Sequence, residues 1–316
     1  MAQPMKPSLL VIAGPTGVGK TATAVALAAR IPLDVISADS RQVYRGMDVA
    51  TGKPTAAERG AVPHHLVDIV DPDDRYHAAR FHTDARAHIA ATRSRGRLPV
   101  VVGGTGLYIR ALLRGLDPAP PADPEFRREL GAVADREGRT ALHARLARQA
   151  PVLARRLHPN DHVRVMRALE RLRATDGVAT EEVQWRRAER EHDALYVGLS
   201  MERPALAQRL RRRAADMVRA GLAEEVRRLL AEGYAPSLPA LQGIGYREFV
   251  GVVHGLLDEA EALRRMQRDT VRYARRQWTW FSREPEIEWL DVALAGGPEG
   301  AAAIIAERLR QRDLVA

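Results

Sequence analysis

A glycine-rich segment near the start of the chain constrains the fold more than any other feature. Residues 14–21 read GPTGVGKT, which matches the pattern GxxxxGK[ST]. An apolar run at 8–13 precedes it, and an alanine-rich helical stretch at 21–30 follows it. A phosphate-binding loop needs this strand–loop–helix order, because glycines let successive backbone N–H groups converge on phosphate oxygens at a helix N-terminus. The segment therefore predicts a phosphate site at the edge of a parallel sheet.

The first 115 residues alternate between short apolar runs and helical patterns. Runs at 33–37, 66–70 and 98–102 predict strands, and the pattern at 78–95 predicts a helix. Strands that alternate with helices are typical of a parallel sheet. We therefore expect an α/β fold, with a P-loop NTPase-like parallel sheet as its core.

The pattern changes after this part of the chain. A proline-rich segment at 117–123 leads into a long stretch with helical spacing and almost no strand signal, and an apolar run returns at 195–200. We interpret the interval as a helical insertion, so that 1–115 and 196–316 form the core and 116–195 forms a separate helical domain. The predicted core positions of this domain are Leu130, Val133, Leu142, Leu146, Leu153, Leu157, Val165 and Leu169.

The last third of the chain is predicted to be mainly helical. Helices are expected at 203–219, 222–232, 245–256, 259–281 and 298–311, with one strand at 287–290. At about 100° per residue, 259–281 forms an amphipathic helix. Its apolar face would carry Leu263, Met266, Thr270, Tyr273, Ala274, Gln277 and Phe281. Its opposite face would carry Arg264, Arg265, Arg268, Arg272, Arg275 and Arg276, which either are simply solvated or follow a phosphate backbone.

The amino-acid composition excludes several kinds of functional site. The 316 residues include no cysteine, which excludes disulfide scaffolds, cysteine-ligated zinc and thiol nucleophiles. The histidines, among them His64 and His65, lack the helical spacing of a zinc pair and are interpreted as structural or surface residues. A net charge of +9 suggests a polyanionic partner. No apolar run approaches the ~20 residues of a membrane helix, so we expect a cytoplasmic protein.

The glycine-rich loop does not by itself identify the phosphate that it holds. Lys20 would add a positive charge, and the Thr21 hydroxyl is placed to hold Mg²⁺. Nucleoside triphosphate sites usually have an acidic residue after a second buried strand, but the run 98–102 ends in Gly-Gly-Thr-Gly. Asp68 and Asp71 could substitute for that acid or could lie in a surface turn. The ligand could therefore be a nucleotide or a plain diphosphate.

Three more segments follow predicted strands: ADSRQVYRGMD at 38–48, DPDDRYHAARF at 71–81 and GGTGLY at 103–108. Open α/β sheets bind their ligands at the carboxyl ends of their strands. Together with GPTGVGKT and with ATGKP at 50–54, these segments resemble the bacterial tRNA dimethylallyltransferases, which are also called tRNA isopentenyltransferases. The resemblance runs from about Leu9 to Phe281.

The resemblance implies an activity. A dimethylallyl group would pass from dimethylallyl diphosphate to the exocyclic amine of the adenosine 3′-adjacent to the anticodon, in tRNAs that read U-initial codons. The products would be N6-(dimethylallyl)adenosine and diphosphate. The implied cofactor is Mg²⁺ and the implied partner is the tRNA anticodon stem-loop. We expect a monomer with no membrane partner.

The resemblance also implies roles for individual residues. Asp39 matches the family's catalytic acid and would be the general base for the weakly nucleophilic amine, unless it only caps the following turn. Thr105 matches a catalytic position near the diphosphate and the base, or it is simply a helix N-cap. Diphosphate-binding residues would be Gly14, Pro15, Thr16, Gly17, Val18, Gly19, Lys20, Thr21, Arg209 and Arg213, with Thr21 as the metal ligand.

A stacked target base has to be turned out of the RNA before it can react. The tRNA contacts that the resemblance implies are Asp39, Ser40, Arg41, Gln42, Thr105, Arg127, Val163, Arg164, Val165, Met166, Arg167, Gln242, Gly243, Ile244, Gly245, Tyr246, Arg247, Arg275, Arg276, Gln277, Trp278, Thr279, Trp280, Phe281 and Ser282. Single-stranded RNA is commonly bound by aromatic stacking and by arginines. Tyr246, Trp278 and Trp280 lie beside arginines and fit that mode.

Two other classes of function stay open from the residues themselves. One is a small-molecule P-loop enzyme, either a nucleotide kinase or an adenylate prenyltransferase. The other is a non-catalytic, nucleotide-sensing RNA-binding protein. The helical insertion and the basic helix argue against the first, because a small acceptor needs neither. The segment 38–48 beside the phosphate loop argues against the second.

Overall fold

The computed structural model describes residues 8–116, 123–138, 140–175 and 192–315. The chain divides into two compact units, Met1–Arg114 with Glu189–Ala316, and Gly115–Ala188. The last strand before the C-terminal helices begins at Asp193, which lies inside the span 116–195 predicted for the insertion. The core therefore resumes earlier than the sequence pattern indicated.

The larger unit is built on a six-stranded sheet in the order β3-β2-β4-β1-β5-β6, in which every pairing is parallel. The strands are β1 (Ser8–Ala13), β2 (Leu33–Ala38), β3 (His64–His65), β4 (Leu98–Gly103), β5 (Asp193–Ser200) and β6 (Glu288–Asp291). This sheet confirms the predicted α/β class. Because the strands are parallel, their carboxyl ends lie at one edge of the sheet.

The larger unit has helices on both faces of its sheet, and the smaller unit is helical in its described part. In chain order they are α1 (Lys20–Ala28), α2 (Ala56–Ala61), α3 (Ala78–Ser94), α4 (Gly106–Arg114), α5 (Pro124–Glu137), α6 (Thr140–Gln149), α7 (Pro151–Arg156), α8 (His162–Ala174), α9 (Arg203–Arg219), α10 (Leu222–Ala231), α11 (Tyr246–Val253), α12 (Glu259–Phe281) and α13 (Gly297–Arg310). The predicted bounds of α9 and α12 are confirmed. Among the described residues, none of these helices is long and apolar enough to cross a membrane.

The central strand separates two apolar layers. Side chains alternate along a strand, so Leu9 and Val11 pack with α3, α4 and α10–α12, whereas Leu10 and Ile12 pack with α1 and α13. All four side chains are fully buried. The run 8–13 is therefore apolar on both faces, as a central strand of a covered parallel sheet requires.

The predicted strand at 66–70 is wrong. Leu66 and Asp68 have φ angles of 62° and 58°, in the left-handed region, which an extended strand cannot contain. The strand that pairs with β2 is His64–His65, and Val70 keeps only an isolated bridge to Tyr44. Asp68 is held in this unusual conformation by ion pairs from its carboxylate to Lys53 and Arg59.

The amphipathic pattern of α12 is confirmed. Met266, Ala274, Gln277 and Phe281 are buried on one face. The six arginines of the opposite face are all exposed. The helix begins where the Asp258 side chain accepts a hydrogen bond from the backbone N–H of Glu261, at 2.7 Å. A helix that packs one face this closely can hold side chains at fixed positions beside the sheet edge.

The smaller unit, considered by itself, consists of the four short helices α5–α8 over its described residues, with no strand among them. Its core contains six of the predicted positions as buried residues: Leu130, Leu142, Leu146, Leu157, Val165 and Leu169. Val133 and Leu153 are only partly buried against it. The helical prediction for the described part of the insertion is therefore confirmed.

Candidate active site

The glycine-rich loop joins β1 to α1, as predicted. Gly14, Gly17 and Gly19 have φ angles of 141°, 78° and 111°, which residues with a Cβ rarely adopt. A Cβ at Gly14 would lie 2.5 Å from the carbonyl oxygen of Leu199 at the end of β5. The loop therefore needs glycine both for its conformation and for its close approach to the neighbouring strand.

Lys20 lies partly buried beneath this loop. Its Nζ donates hydrogen bonds to the carbonyl oxygens of Gly14 at 3.0 Å and Pro15 at 2.9 Å. Burial lowers the pKa of the Lys20 ammonium to about 8, while the Asp39 carboxylate opposes the shift. The ammonium is therefore a desolvated cation, which an incoming anion would stabilise.

A first cavity of about 310 Å³ opens over the loop. Gly17, Gly19, Lys20 and Thr21 line one side, and Arg209 and Arg213 from α9 line the other. Neither arginine makes a hydrogen bond or an ion pair with the residues that the structure describes, and burial lowers the pKa of the Arg213 guanidinium. Three cationic side chains thus face one cavity beside the N-terminus of α1. This arrangement suits a multiply charged anion.

A second cavity, of about 320 Å³, adjoins the first. Its walls come from the loop after β2, from α9, from the segment 242–247 and from α12. The two cavities share four lining residues: Thr16, Asp39, Thr51 and Arg213. Asp39 therefore lies where the two cavities meet.

The carboxylate of Asp39 is held by its own turn. Oδ1 accepts hydrogen bonds from the backbone N–H groups of Arg41 at 2.8 Å and Gln42 at 3.4 Å. Oδ2 makes no hydrogen bond with any residue in the described part of the chain. The capping role and the general-base role are therefore compatible, because one oxygen orients the group and the other stays available to a ligand.

Thr105 follows β4, next to the strand that leads to Asp39. Its Oγ1 accepts a hydrogen bond from the backbone N–H of Ser40 at 3.1 Å, and its own N–H donates to the carbonyl oxygen of Ala38 at 3.2 Å. Thr105 also precedes α4 at its N-terminus, where its carbonyl oxygen accepts from the backbone N–H of Ile109 at 3.2 Å. Thr105 thus fixes the loop that carries Asp39.

The four residues 39–42 do not all face the same cavity. Ser40 and Arg41 line the second cavity, and the Arg41 guanidinium also donates to the carbonyl oxygen of Pro239 at 2.7 Å. Gln42 lines the first cavity, where its Oε1 accepts from Ser37 and its Nε2 donates to the carbonyl oxygen of Gly52. The structure therefore places Gln42 on the phosphate side, not with the other predicted tRNA contacts.

The segment 242–247 forms part of the second cavity, as its predicted role requires. Gln242, Gly243, Ile244, Tyr246 and Arg247 all line it. Tyr246, however, is 1% exposed, and its hydroxyl donates to Glu225 Oε1 at 2.6 Å. The stacking of Tyr246 on a base stays a prediction, and the structure shows its ring packed in the core with its hydroxyl bonded to Glu225.

The segment 275–282 is divided by the periodicity of α12. Arg275, Arg276, Thr279 and Ser282 are exposed, but Gln277 and Phe281 are buried. The contacts of Gln277 and Phe281 with tRNA stay predictions, and the structure shows that both side chains are buried. The helix turns these two side chains toward the sheet.

The two tryptophans of this segment are also engaged within the protein. Trp280 packs against Gly106, and the Arg110 guanidinium carbon lies 4.4 Å from its ring centroid. Trp278 packs against Trp289, with ring centroids 4.6 Å apart. Base stacking stays a prediction for both residues. The Trp280 ring is covered by Arg110, and the Trp278 ring contacts Trp289.

The predicted tRNA contacts of the smaller unit differ in exposure. Val163 is 82% exposed and Arg164 lies on the surface beside it. Val165 is 1% exposed and belongs to the helical core, and its contact with tRNA stays a prediction. Met166 packs against the same core, and Arg167 forms an ion pair with Glu170 at 3.2 Å.

Arg127 belongs to the same ion-pair cluster. Its guanidinium bonds to both carboxylate oxygens of the buried Glu170, at 2.6 and 2.9 Å. This fork-on-carboxylate geometry is strong and directional. The contact of Arg127 with tRNA stays a prediction, and the structure adds a role in holding α5 against α8.

The sequence analysis missed several cavity residues, among them Lys53, Tyr273 and His64. Lys53 lines the first cavity and is buried, with its Nζ bonded to Tyr44, Asp48 and Asp68. Tyr273 lines the second cavity, and burial together with the nearby Asp39 raises the pKa of its phenol to about 12. The amphipathic pattern placed Tyr273 on the face of α12 that packs inward, but nothing local indicated a cavity there.

His64 is the third of these residues. It lines the first cavity, and its Nδ1 donates to the carbonyl oxygen of Val62 at 2.9 Å. Its Nε2 is buried and has no hydrogen-bond partner among the described residues, and burial lowers the pKa of the ring. The side chain points into the cavity because β3 pairs His64 with Val35 of β2, a register that the sequence does not reveal.

Neither proposed substitute for a metal-binding acid lies in these cavities. Asp68 forms ion pairs with Lys53 and Arg59, and Asp71 forms one with Arg45. Within the described ranges, no group of three His, Asp or Glu side chains could hold a metal ion. The Thr21 hydroxyl lines the first cavity and makes no hydrogen bond with a described residue. It is therefore the one predicted metal ligand that the geometry retains.

Known proteins are similar in sequence to this chain over most of its length. The tRNA dimethylallyltransferase of Anaeromyxobacter dehalogenans is 49% identical over 302 residues, which cover 95% of this chain and 99% of that protein. The tRNA dimethylallyltransferase 1 of Syntrophotalea carbinolica is 48% identical over 291 residues, 90% of this chain and 91% of that protein.

Solved structures of tRNA-modifying transferases are also similar to this chain. The full-length tRNA isopentenylpyrophosphate transferase of Bacillus halodurans matches with a TM-score of 0.72 and 38% identity over 98% of both chains. A eukaryotic dimethylallyltransferase acting on tRNA matches with a TM-score of 0.72 and 28% identity, over 90% of this chain and 74% of that one. The family model for IPP transferase matches residues 42–284, and that for isopentenyl transferase matches residues 7–64. The chain therefore belongs to the IPP transferase family.

Proposed function

We propose that this protein is a tRNA dimethylallyltransferase. It transfers a dimethylallyl group from dimethylallyl diphosphate to the exocyclic amine of an adenosine in tRNA, giving N6-(dimethylallyl)adenosine and diphosphate. The observation that carries this proposal is the meeting of two cavities at Asp39, of which one is lined by cations. Two substrates can thus enter separate cavities and react where the cavities join.

The first cavity is suited to the diphosphate of the donor. Backbone N–H groups of the loop, Lys20, Arg209 and Arg213 would bind the phosphate oxygens. As the bond between C1 of the prenyl group and its oxygen breaks, negative charge develops on the leaving diphosphate. Fixed cations in a desolvated site stabilise that charge more in the transition state than in the ground state.

The second cavity is suited to the adenine. The exocyclic nitrogen attacks C1 of the prenyl group, so that a C–N bond forms while the C–O bond breaks. The nitrogen then carries a proton that has to leave, and the Asp39 carboxylate accepts it through Oδ2. Thr105 lies beside this group through its bond to Ser40, and its hydroxyl proton stays available to a diphosphate oxygen or to the base.

Mg²⁺ fits the first cavity as the donor's metal ion. Thr21 would supply one hydroxyl ligand, and the absence of an acidic cluster among the described residues leaves the other positions to diphosphate oxygens and water. Mg²⁺ commonly keeps several waters and binds through substrate phosphates. When bound, the ion would neutralise part of the charge on the leaving diphosphate.

The acceptor is proposed to be the adenosine 3′-adjacent to the anticodon in tRNAs that read U-initial codons. Arg41, Arg247 and Arg276 line the second cavity, and Arg275 is exposed beside it on α12. Arginines around an opening support binding of a phosphate backbone. The expected cytoplasmic location and monomeric state belong to the same proposal.

One assay tests the function and its rivals together. The protein with Mg²⁺ and labelled dimethylallyl diphosphate is mixed with an unmodified tRNA that reads a UUN codon, with the same tRNA carrying guanosine at the target position, with AMP, or with no acceptor. We expect label only in the unaltered tRNA. Transfer of label to AMP, or equal labelling of the guanosine-substituted tRNA, would contradict the proposal.

A further inference from the structure

Gln277 connects the phosphate loop to the loop after β4. Its Oε1 accepts a hydrogen bond from the backbone N–H of Thr16 at 2.8 Å, and its Nε2 donates to the carbonyl oxygen of Gly104 at 2.8 Å. The side chain is 6% exposed. Both partners are main-chain groups, so the amide of Gln277 alone determines whether these two bonds form.

The surroundings of Gln277 leave it little freedom. A Cβ added at Gly104 would collide with Nε2 of Gln277 and would lie 3.4 Å from the carbonyl oxygen of Gly14. Glycine at position 104 therefore allows the amide, the phosphate loop and the β4 loop to approach one another. The amide offers an acceptor oxygen and a donor N–H from one planar group, which these two bonds need.

These contacts continue to the general base. Gly104 precedes Thr105, whose hydroxyl bonds to the N–H of Ser40, and Ser40 follows Asp39. A series of hydrogen bonds thus connects Thr16 through Gln277 to the turn that holds Asp39. Thr16 lines both cavities. The same helix carries Tyr273 and Arg276 into the wall of the second cavity.

We propose that Gln277 is a positioning residue that sets the distance between the bound diphosphate and the Asp39 carboxylate. The inference rests on the proposed prenyl transfer. The donor and acceptor must meet with their reacting atoms about 3–3.5 Å apart, and small errors in that alignment are costly. Gln277 touches neither substrate in this account, and it acts through Thr16 and Gly104.

The first test removes both hydrogen bonds while keeping the size of the side chain. Gln277→Met should lower kcat about 100-fold, the cost of a misplacement of roughly 1 Å. KM for the donor should change less than about threefold, because Lys20, Arg209 and Arg213 still bind the diphosphate. Thermal unfolding of each variant is measured alongside.

Gln267→Met is the matched control. Gln267 lies on the same helix, and its Nε2 donates to the carbonyl oxygen of Arg211 at 3.1 Å. It lines neither cavity. A kcat for Gln277→Met within twofold of that for Gln267→Met, with wild-type activity intact, would overturn the inference. Absence of activity in the wild-type protein would instead overturn the proposed function.

The second test uses the protonation of an introduced carboxyl group. In Gln277→Glu the ionised carboxylate still accepts from Thr16 but cannot donate to Gly104, whereas the neutral acid can do both. The ratio of variant to wild-type kcat should therefore rise as the pH falls from about 8 to about 5.5, since burial raises a carboxyl pKa. Dividing by the wild-type rate removes the pH dependence that the two enzymes share. A ratio that stays constant over this range would contradict the positioning role, even if Gln277→Met fails to fold.

Discussion

The hydroxyl of Thr105 accepts a hydrogen bond from the backbone N–H of Ser40 at 3.1 Å, although the two residues are 65 positions apart. The bond exists because β2 and β4 are neighbours in a parallel sheet, so that the loops that follow them leave the same edge. It fixes the turn of Asp39 against the loop that contains Gly104. The geometry of the candidate base is thus determined by two loops and not by one.

Removal of the Thr105 hydroxyl should uncouple these loops. Thr105→Val keeps the shape of the side chain but leaves the Ser40 N–H without its acceptor, so kcat should fall about 10- to 100-fold. Thr105→Ser keeps the hydroxyl and should stay within about threefold of wild type. Steady-state kinetics with tRNA and donor measure both, and equal losses in the two variants would contradict the role of the bond.

Asp39→Asn separates the two roles of this residue. The amide oxygen can still accept from Arg41 and keep the turn, but the side chain can no longer take a proton. We expect kcat to fall about 10²- to 10⁴-fold, with the Kd for tRNA little changed. Single-turnover kinetics and filter binding give the two values. A loss of tRNA affinity that matches the loss in kcat would mean that Asp39 binds the RNA and is not the base.

Burial of Lys20 should make the stability of the protein without substrates depend on pH. Below about pH 8 both the folded and the unfolded states hold the proton; between about 8 and 10.5 only the unfolded state does, so stability rises with pH in that window. The desolvated ammonium costs about 3 kcal/mol at pH 7.

Lys20→Met removes this cost together with the cation. We expect a higher free energy of unfolding than wild type at pH 7, a difference that shrinks above pH 8, and a raised KM for the donor. Urea denaturation at several pH values, with kinetics at pH 7, measures both effects. A wild-type stability that falls between pH 8 and pH 10, with no change there in the variant, would contradict the sign argued from burial.

Arg213 should bind the donor and not the tRNA backbone. Arg213→Gln should raise the KM for dimethylallyl diphosphate about 10- to 100-fold, the cost of one lost charge-assisted hydrogen bond. Arg212→Gln is the matched control, since Arg212 is exposed on the same helix and lines neither cavity. Kinetics at saturating tRNA measure the effect, and equal KM values in the two variants would remove Arg213 from the diphosphate site.

The salt dependence of tRNA binding should identify the arginines of α12 that meet the RNA. Arg275 and Arg276 have no carboxylate partner among the described residues, whereas Arg264 is paired with Glu261 at 2.8 Å. Arg275→Gln should reduce the slope of log K against log salt concentration by about 1, and Arg264→Gln by less. Binding titrations over a range of KCl concentrations test this. Identical slopes in the two variants would contradict the assignment.

Much of the candidate site was predictable because its signals are local. The loop of residues 14–21 is recognisable from glycine spacing and from its flanking strand and helix. The role predicted for Asp39 came from the resemblance to the tRNA dimethylallyltransferases, carried by the segment 38–48 directly after β2. The predicted strand at 66–70 failed because an apolar run does not reveal left-handed residues such as Leu66 and Asp68. Asp68 is also held by ion pairs to Lys53 and Arg59 from elsewhere in the chain.

What the sequence by itself determined is the parallel α/β core, the helical character of the insertion and the identity of the phosphate loop, because each depends on patterns within a few turns of chain. Only the tertiary structure decided what the conspicuous side chains do. Gln277 and Tyr246 were predicted to contact tRNA, but their side chains are bonded to Thr16 and Glu225 inside the protein. The physical reason is that a side chain's partner depends on what packs against it, and Thr16 lies 261 residues away from Gln277.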